Sequence, residues 1–280
     1  MNFIYNILDT VLPFEWISPT FMKNAFLAIL VTCPLFGTLG TVVVSNKMAF
    51  FSDAIGHSAL TGIAIGVLLG IPDPTVAMIL FALVLGFAII TVKIHGKSSA
   101  DTTIGVFSST AVALGIVLLS ATGNFSKYQK YLVGDILSIK PEEILMLIIS
   151  GIVLLLVWIF FFNQMMVTNM HSTFAKSRGI KTFFIEQLFA LLTAAIVTIS
   201  IRWTGLLVIN SLLVLPAAAS RMISTSSRQY GGFSILISLI SGISGLIMSY
   251  YIGSASGATI VLVNAVLFLV CLGLSLIRRK

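Results

Sequence analysis

The sequence predicts an all-α fold, a polytopic membrane protein with about eight transmembrane helices, and three observations support this prediction. Of the 280 residues, 58% are hydrophobic and only 9% are charged, whereas soluble domains carry roughly 25% charged residues. The mean hydropathy is +1.10. Apolar runs of about 20 residues, the length that crosses a hydrocarbon core as a helix, follow one another along the chain. This composition excludes a soluble enzyme and a nucleic-acid-binding protein.

The first twenty residues predict a short amphipathic helix that lies on the membrane surface. Ile4, Ile7, Leu8 and Val11 recur at the spacing of one helical face, and Trp16 is suited to the interface. We therefore expect 1–20 to be an interfacial segment and 21–280 to form a single transmembrane domain.

Eight later runs predict membrane-spanning helices, with residue ranges 22–44, 54–70, 74–93, 102–121, 143–163, 183–201, 231–251 and 257–277. A shorter run, 204–219, is ended by the stretch Pro-Ala-Ala-Ala-Ser that begins at Pro216. It predicts a half-helix or re-entrant segment, which is tolerated where protein or water surrounds it. In the second run, small residues recur at every fourth position from Ser58 through Gly62 and Gly66 to Gly70. Such a stripe predicts close packing of this helix in lipid.

Basic residues exceed acidic ones, 16 Lys and Arg against nine Asp and Glu, and we interpret the excess as membrane topology. They cluster at 176–181, 221–228 and 278–280, which predicts that these stretches face the cytoplasm. The two cysteines, Cys33 and Cys271, lie inside the first and last apolar runs. They predict buried apolar side chains and no disulfide framework.

Asp53 and His57 are the candidate metal ligands, at the start of the second span. Residues four apart share one helical face, and one carboxylate with one imidazole makes half of a site for Zn²⁺ or Mn²⁺. The alternative is an Asp–His hydrogen bond at a helix start, with Asp53 as the N-cap. Ionisable residues inside a membrane bundle favour the functional interpretation.

Asn210 and Ser211 are weaker candidates, within the short run 204–219. They could complete a metal's coordination shell, or they could satisfy backbone groups that a broken helix leaves free. The second alternative is favoured.

Six stretches of the chain, taken together and in order, resemble the membrane permease subunits of bacterial ATP-binding-cassette importers for zinc, manganese or iron. They are Ser-Asp-Ala-Ile-Gly-His-Ser-Ala-Leu-Thr-Gly-Ile-Ala at 52–64, Ser-Ala-Asp-Thr-Thr-Ile-Gly-Val at 99–106, Leu-Val-Gly-Asp-Ile-Leu-Ser at 132–138, Phe-Ala-Lys-Ser-Arg-Gly-Ile at 174–180, Thr-Gly-Leu-Leu-Val-Ile-Asn-Ser-Leu-Leu-Val-Leu-Pro-Ala-Ala-Ala-Ser-Arg at 204–221, and Ser-Gly-Ala-Thr-Ile-Val-Leu at 256–262. The resemblance covers most of the chain from about residue 22 onward.

The resemblance implies a homodimeric permease in the bacterial cytoplasmic membrane, with a separate nucleotide-binding ATPase and an extracytoplasmic metal-binding protein as partners. It places the family's metal-contacting Asp and His on Asp53 and His57. It also implies an ATPase-coupling segment, whose members here are Pro216, Ala217, Ser220, Arg221 and Arg228. Ser220 replaces the more usual Ala or Thr, and Asn210 stands where a small residue is expected.

The expected function is that of a permease subunit in an ATP-driven importer for zinc or manganese, with iron also compatible with the donor set. The chain is not expected to be an enzyme or to hold a permanent cofactor, since ATP is hydrolysed on the partner. The alternative is an ion-coupled secondary transporter or channel that works without an ATPase. An intramembrane metalloenzyme lacks support because no His-Glu-x-x-His motif is present, and an exporter on the same scaffold would leave the Asp53–His57 pair without a cation.

Overall fold

The computed structural model describes residues 2–71, 73–96, 98–121, 135–170 and 172–278, and in these ranges the long regular elements are all helices. The helices are α1 (Asn2–Val11), α2 (Thr20–Ser45), α3 (Phe51–Leu68), α4 (Pro74–His95), α5 (Ala100–Ala121), α6 (Pro141–Met170), α7 (Ser172–Ser177), α8 (Thr182–Thr204), α9 (Leu206–Ile223), α10 (Ser227–Ile252) and α11 (Ser256–Arg278). Short 3-10 turns lie at Glu15–Ile17 and Ile136–Ser138. The predicted all-α fold is confirmed.

Eight of the described helices are long and apolar enough to cross a membrane, namely α2, α3, α4, α5, α8, α9, α10 and α11. The predicted span 143–163 lies within the 30-residue helix α6. The run 204–219 differs from its prediction, because α9 is an 18-residue helix that continues through Pro216 to Ile223. A proline inside a helix removes one backbone hydrogen bond, and here that loss does not end the helix.

The described residues divide into two compact units, and three helices, α2, α6 and α8, run from one unit into the other. The terminal unit consists of Met1–Thr41, Asp135–Ile152 and Trp203–Lys280, and the central unit of Val42–Gly134 and Val153–Arg202. In the terminal unit α9, α10 and α11 pack on one another, and in the central unit α3 packs against α4 and α5. The single domain expected for 21–280 stays a prediction.

The N-terminal helix α1 shows the amphipathic character that its spacing predicts. Ile7 and Val11 are 45% and 67% exposed, while Lys23 on α2 forms an ion pair with Asp9 at 2.7 Å. Trp16 is buried and meets the Phe26 ring edge-on, with 5.7 Å between centroids. The helix is thus attached to α2 through polar contacts, and its position on a membrane surface stays a prediction.

Glycines let α3 approach both of its neighbours in the central unit. A Cβ atom added to Gly62 would lie 2.7 Å from Met78 Cα on α4. One added to Gly115 of α5 would lie 2.9 Å from Thr61 N on α3. Both distances are shorter than real Cβ contacts, so the backbones touch at both points. The contact at Gly62 is the one that the small-residue stripe of α3 predicts.

Candidate metal site and coupling segment

The candidate metal site lies in the first two turns of α3, just after the tight turn that joins it to α2. Met48 fixes this turn, because its N–H donates to Val43 O at 3.0 Å and its carbonyl accepts from Phe51 N at 2.9 Å. Lys47 adopts a φ of 54°, in the left-handed region. The chain therefore reverses sharply, and α3 begins at Phe51 with Asp53 in its first turn, where the helix dipole favours a carboxylate.

Asp53 and His57 face each other across one helical turn. His57 Nε2 lies 3.5 Å from Asp53 Oδ1, and the two side chains are 42% and 43% exposed. The distance is long for a hydrogen bond, since good ones measure about 2.7–3.2 Å. The N-cap of α3 is Phe50, so Asp53 does not have the N-cap role that the structural alternative gave it.

The pair occupies an open stripe on a part of α3 that is otherwise buried. Of residues 51–64, all of which the structure describes, every one except Asp53 and His57 is buried. One turn further along the same face, Thr61 is fully buried and its hydroxyl donates to Ala111 O of α5. Contact of a half-exposed carboxylate and imidazole with lipid acyl chains is energetically unfavourable. This stripe must therefore meet water or another protein surface.

One chain offers two side chains at this place, Asp53 and His57, that are suited to bind a metal ion. Among the described residues, no group of three or more His, Cys, Asp or Glu side chains lies close enough to hold a metal ion. His95, at the exposed end of α4, lies 2.9 Å from the carbonyl of Thr91 through Nδ1, and His171 lies outside the described residues. The remaining ligands for an ion at Asp53 and His57 would come from water or from a second copy of the chain.

Asn210 and Ser211 lie on α9 in the terminal unit. Ser211 is buried, and Asn264 of α11 donates to its hydroxyl at 3.1 Å and to its carbonyl at 3.3 Å. These contacts join α9 to α11, and both alternatives for Asn210 and Ser211 stay predictions. Asn264 was not a candidate from the sequence, although it is the one amide side chain in the apolar run 257–277.

The predicted coupling segment forms the end of α9 and the start of α10. Pro216, Ala217 and Ser220 are buried, while Arg221 and Arg228 are exposed. The α9–α10 turn, residues 224–226, is closed by hydrogen bonds at its α10 side. There, Ser226 Oγ accepts from Gln229 N at 3.3 Å, and Gln229 Oε1 accepts from Thr225 N at 3.1 Å. The two arginines thus flank a short, well-defined turn.

Comparisons with known proteins match this chain along almost its whole length. Residues 18–275 match the model of the ABC 3 transport family. The chain is 32% identical over 268 residues to the high-affinity zinc uptake system membrane protein ZnuB of Haemophilus influenzae, covering 95% of this chain and 99% of that one. It is 29% identical to the manganese import system permease protein ScaB of Streptococcus gordonii, over 89% of this chain and 90% of that one.

A solved structure, PsaBC from Streptococcus pneumoniae in complex with Fab, has a similar fold. It superimposes with a TM-score of 0.78 at 26% sequence identity, covering 97% of this chain and 95% of that chain.

Proposed function

Because the chain belongs to the ABC 3 transport family, we propose that it is the permease subunit of an ATP-driven importer for zinc or manganese ions. It is a multi-pass protein of the bacterial inner membrane. Named relatives serve zinc uptake and manganese import. The observation that supports the proposal best is the open Asp53–His57 stripe on the otherwise buried start of α3.

The permease must carry a divalent cation across the hydrocarbon core of the membrane, where the ion has no favourable partners. Burying an unpaired ion in hydrocarbon costs far more than folding can offset. Asp53 and His57 would replace some of the ion's waters with one anionic oxygen and one imidazole nitrogen, a donor set that suits Zn²⁺, Mn²⁺ and Fe²⁺. Two ligands from one chain hold an ion loosely, so it can also be released.

A homodimer supplies what the single chain lacks. The pair is 42% and 43% exposed in one chain, and a second copy that presents the same pair would bring the number of protein ligands to about the four that zinc prefers. In this arrangement the stripe faces a path between two subunits. For an ion such as Mn²⁺, which prefers six ligands, water fills the remaining coordination positions.

The energy source is a separate ATPase beneath the membrane, and a metal-binding protein outside delivers the ion. Arg221 and Arg228, exposed on either side of the α9–α10 turn, offer a basic surface for the ATPase. Their place at the end of α9 and the start of α10 lets closure of the ATPase move both helices together.

The test is metal uptake in cells that lack their own copy of the gene and carry plasmid variants. Asp53→Asn and His57→Ala keep the helix but remove a ligand, and we expect each to lower initial uptake of ⁶⁵Zn²⁺ or ⁵⁴Mn²⁺ at least tenfold. His95→Ala is the matched control, since that imidazole is exposed at the end of α4. Each variant is first shown to co-purify with the ATPase.

Unchanged uptake in both pair variants would remove the site from the proposal. Metal movement into liposomes by the purified chain, without ATP or ATPase, would identify the ion-coupled transporter or channel instead.

A further inference from the structure

A hydrogen-bonded connection joins the α9–α10 turn to α2, the helix that leads directly to the metal pair. We propose that Tyr230 is a positioning residue that transmits movement of this turn to α2 and so to Asp53 and His57. This inference rests on the proposed function, in which the turn receives the ATPase.

Tyr230 is bound through its backbone to both sides of the turn. Ser220, near the end of α9, donates its hydroxyl to the carbonyl of Tyr230 at 2.6 Å. The N–H of Tyr230 donates to the carbonyl of Ser226, the N-cap of α10, at 2.9 Å. Any displacement of Arg221 or Arg228, which lie between these partners in the sequence, therefore reaches Tyr230 through short bonds.

The side chain of Tyr230 extends this connection to α2. Its phenol O–H donates to the carbonyl of Thr41 at 3.2 Å. One turn further along α10, the fully buried Ser234 donates its hydroxyl to the carbonyl of Gly37 at 2.7 Å. Positions four apart on α10 thus contact positions four apart on α2, and all four residues belong to the terminal unit.

Direct backbone contact also holds the end of α2 rigidly against α9 and α10. A Cβ atom on Gly37 would lie 3.0 Å from Ile235 Cα of α10, and one on Gly40 would overlap the carbonyl oxygen of Leu213 on α9. Helices that touch without intervening side chains move together, because no flexible group can absorb a shift. The end of α2 is therefore attached to both helices that flank the turn.

Proline interrupts the backbone hydrogen bonding of α2 between its beginning and the contacts from α10. Pro34 lies inside the helix, and the Thr38 hydroxyl donates to the carbonyls of Pro34 and Leu35, both at 2.8 Å. Proline and threonine bonds of this kind bend helices locally. Both contacts from α10 lie beyond this point, on the part of α2 that continues through Ser45 into the turn before Asp53.

The experiment measures coupling in proteoliposomes that contain the permease, its ATPase and its binding protein. Tyr230→Phe removes only the hydroxyl. Loss of one net hydrogen bond changes an equilibrium by about two- to tenfold. We expect the number of metal ions imported per ATP hydrolysed to fall by about that factor, while ATP hydrolysis and assembly stay normal.

The matched control is Tyr250→Phe, the same change at the other end of α10, where the ring contacts Tyr251. Ser234→Ala is the second variant, and the double variant is expected to lower the ratio further. A purely structural role would reduce import and hydrolysis in proportion, and that result overturns the inference.

An unchanged number of metal ions per ATP in Tyr230→Phe and in the double variant also overturns the inference about Tyr230. In that case normal import by the wild type still supports the proposed function. A wild-type assembly that hydrolyses ATP without importing metal would overturn the proposed function and this inference together.

Discussion

Replacement of Gly115 by alanine tests whether α5 holds α3, and with it Asp53 and His57, through direct backbone contact. The added Cβ would lie 2.6 Å from Thr61 Oγ1, 2.9 Å from its N and 3.0 Å from its Cα. Ordinary contacts of this type begin at 3.4 Å, so the two helices must separate by roughly half an ångström or more.

That separation has two energetic costs. One extra methyl group in a tightly packed interface costs about 1–3 kcal/mol. The separation also weakens the hydrogen bond from the Thr61 hydroxyl to Ala111 O. A hydrogen bond between membrane helices contributes about 0.6 kcal/mol on average. The sum is about 1.6–3.6 kcal/mol, which corresponds to a fall of about 3–14 °C in the thermal midpoint at about 2–4 °C per kcal/mol.

The assay is thermal unfolding of the detergent-purified protein, followed by its elution as a folded species on size exclusion. Gly105→Ala on the same helix is the control, because a Cβ there meets nothing within 4 Å. Since Thr61 lies one turn beyond His57, we also expect Gly115→Ala to weaken metal uptake. Equal midpoints for the two alanine variants would refute the claim of backbone contact.

Three further changes are expected to be informative. The ammonium of Lys93 lies 3.0 Å from the Glu186 carboxylate, and the Lys93 side chain is 19% exposed. Glu186→Gln removes this counter-charge and should lower the free energy of unfolding by about 1–3 kcal/mol, measured by thermal unfolding. Adding Lys93→Met should recover most of that loss. Ser211→Ala removes one of the two acceptors of Asn264 and should cost about 1 kcal/mol. Cys33 is fully buried, so mass spectrometry should find it unlabelled by maleimide in the folded protein and labelled in SDS.

Features that depend on local pattern could be predicted from the sequence. Long apolar runs predict spans because hydrocarbon admits backbone only when it is hydrogen-bonded internally. The spacing of Asp53 and His57 predicts a shared face because a helix repeats every 3.6 residues, and the structure confirms this at 3.5 Å. The same helical repeat places Gly62 on the face formed by the small-residue stripe of α3, which predicts close packing of that face.

Features that depend on distant partners could not be predicted in this way. The short run 204–219, with Pro216 near its end, suggested a half-helix, but packing against α10 and α11 supports a continuous α9. The contacts of Tyr230 with Thr41 and of Asn264 with Ser211 join residues 189 and 53 positions apart. Nothing in a local pattern selects such pairs, because tertiary packing decides which helices are neighbours.

The division of the chain into units has a consequence for biogenesis. A ribosome delivers residues from first to last, and the central unit, which holds Asp53 and His57, has received all of its residues once Arg202 has emerged. The terminal unit needs Trp203–Lys280 to join pieces made much earlier. The central unit can therefore assemble in the bilayer before the terminal unit, with its α9–α10 turn, has received its last residues.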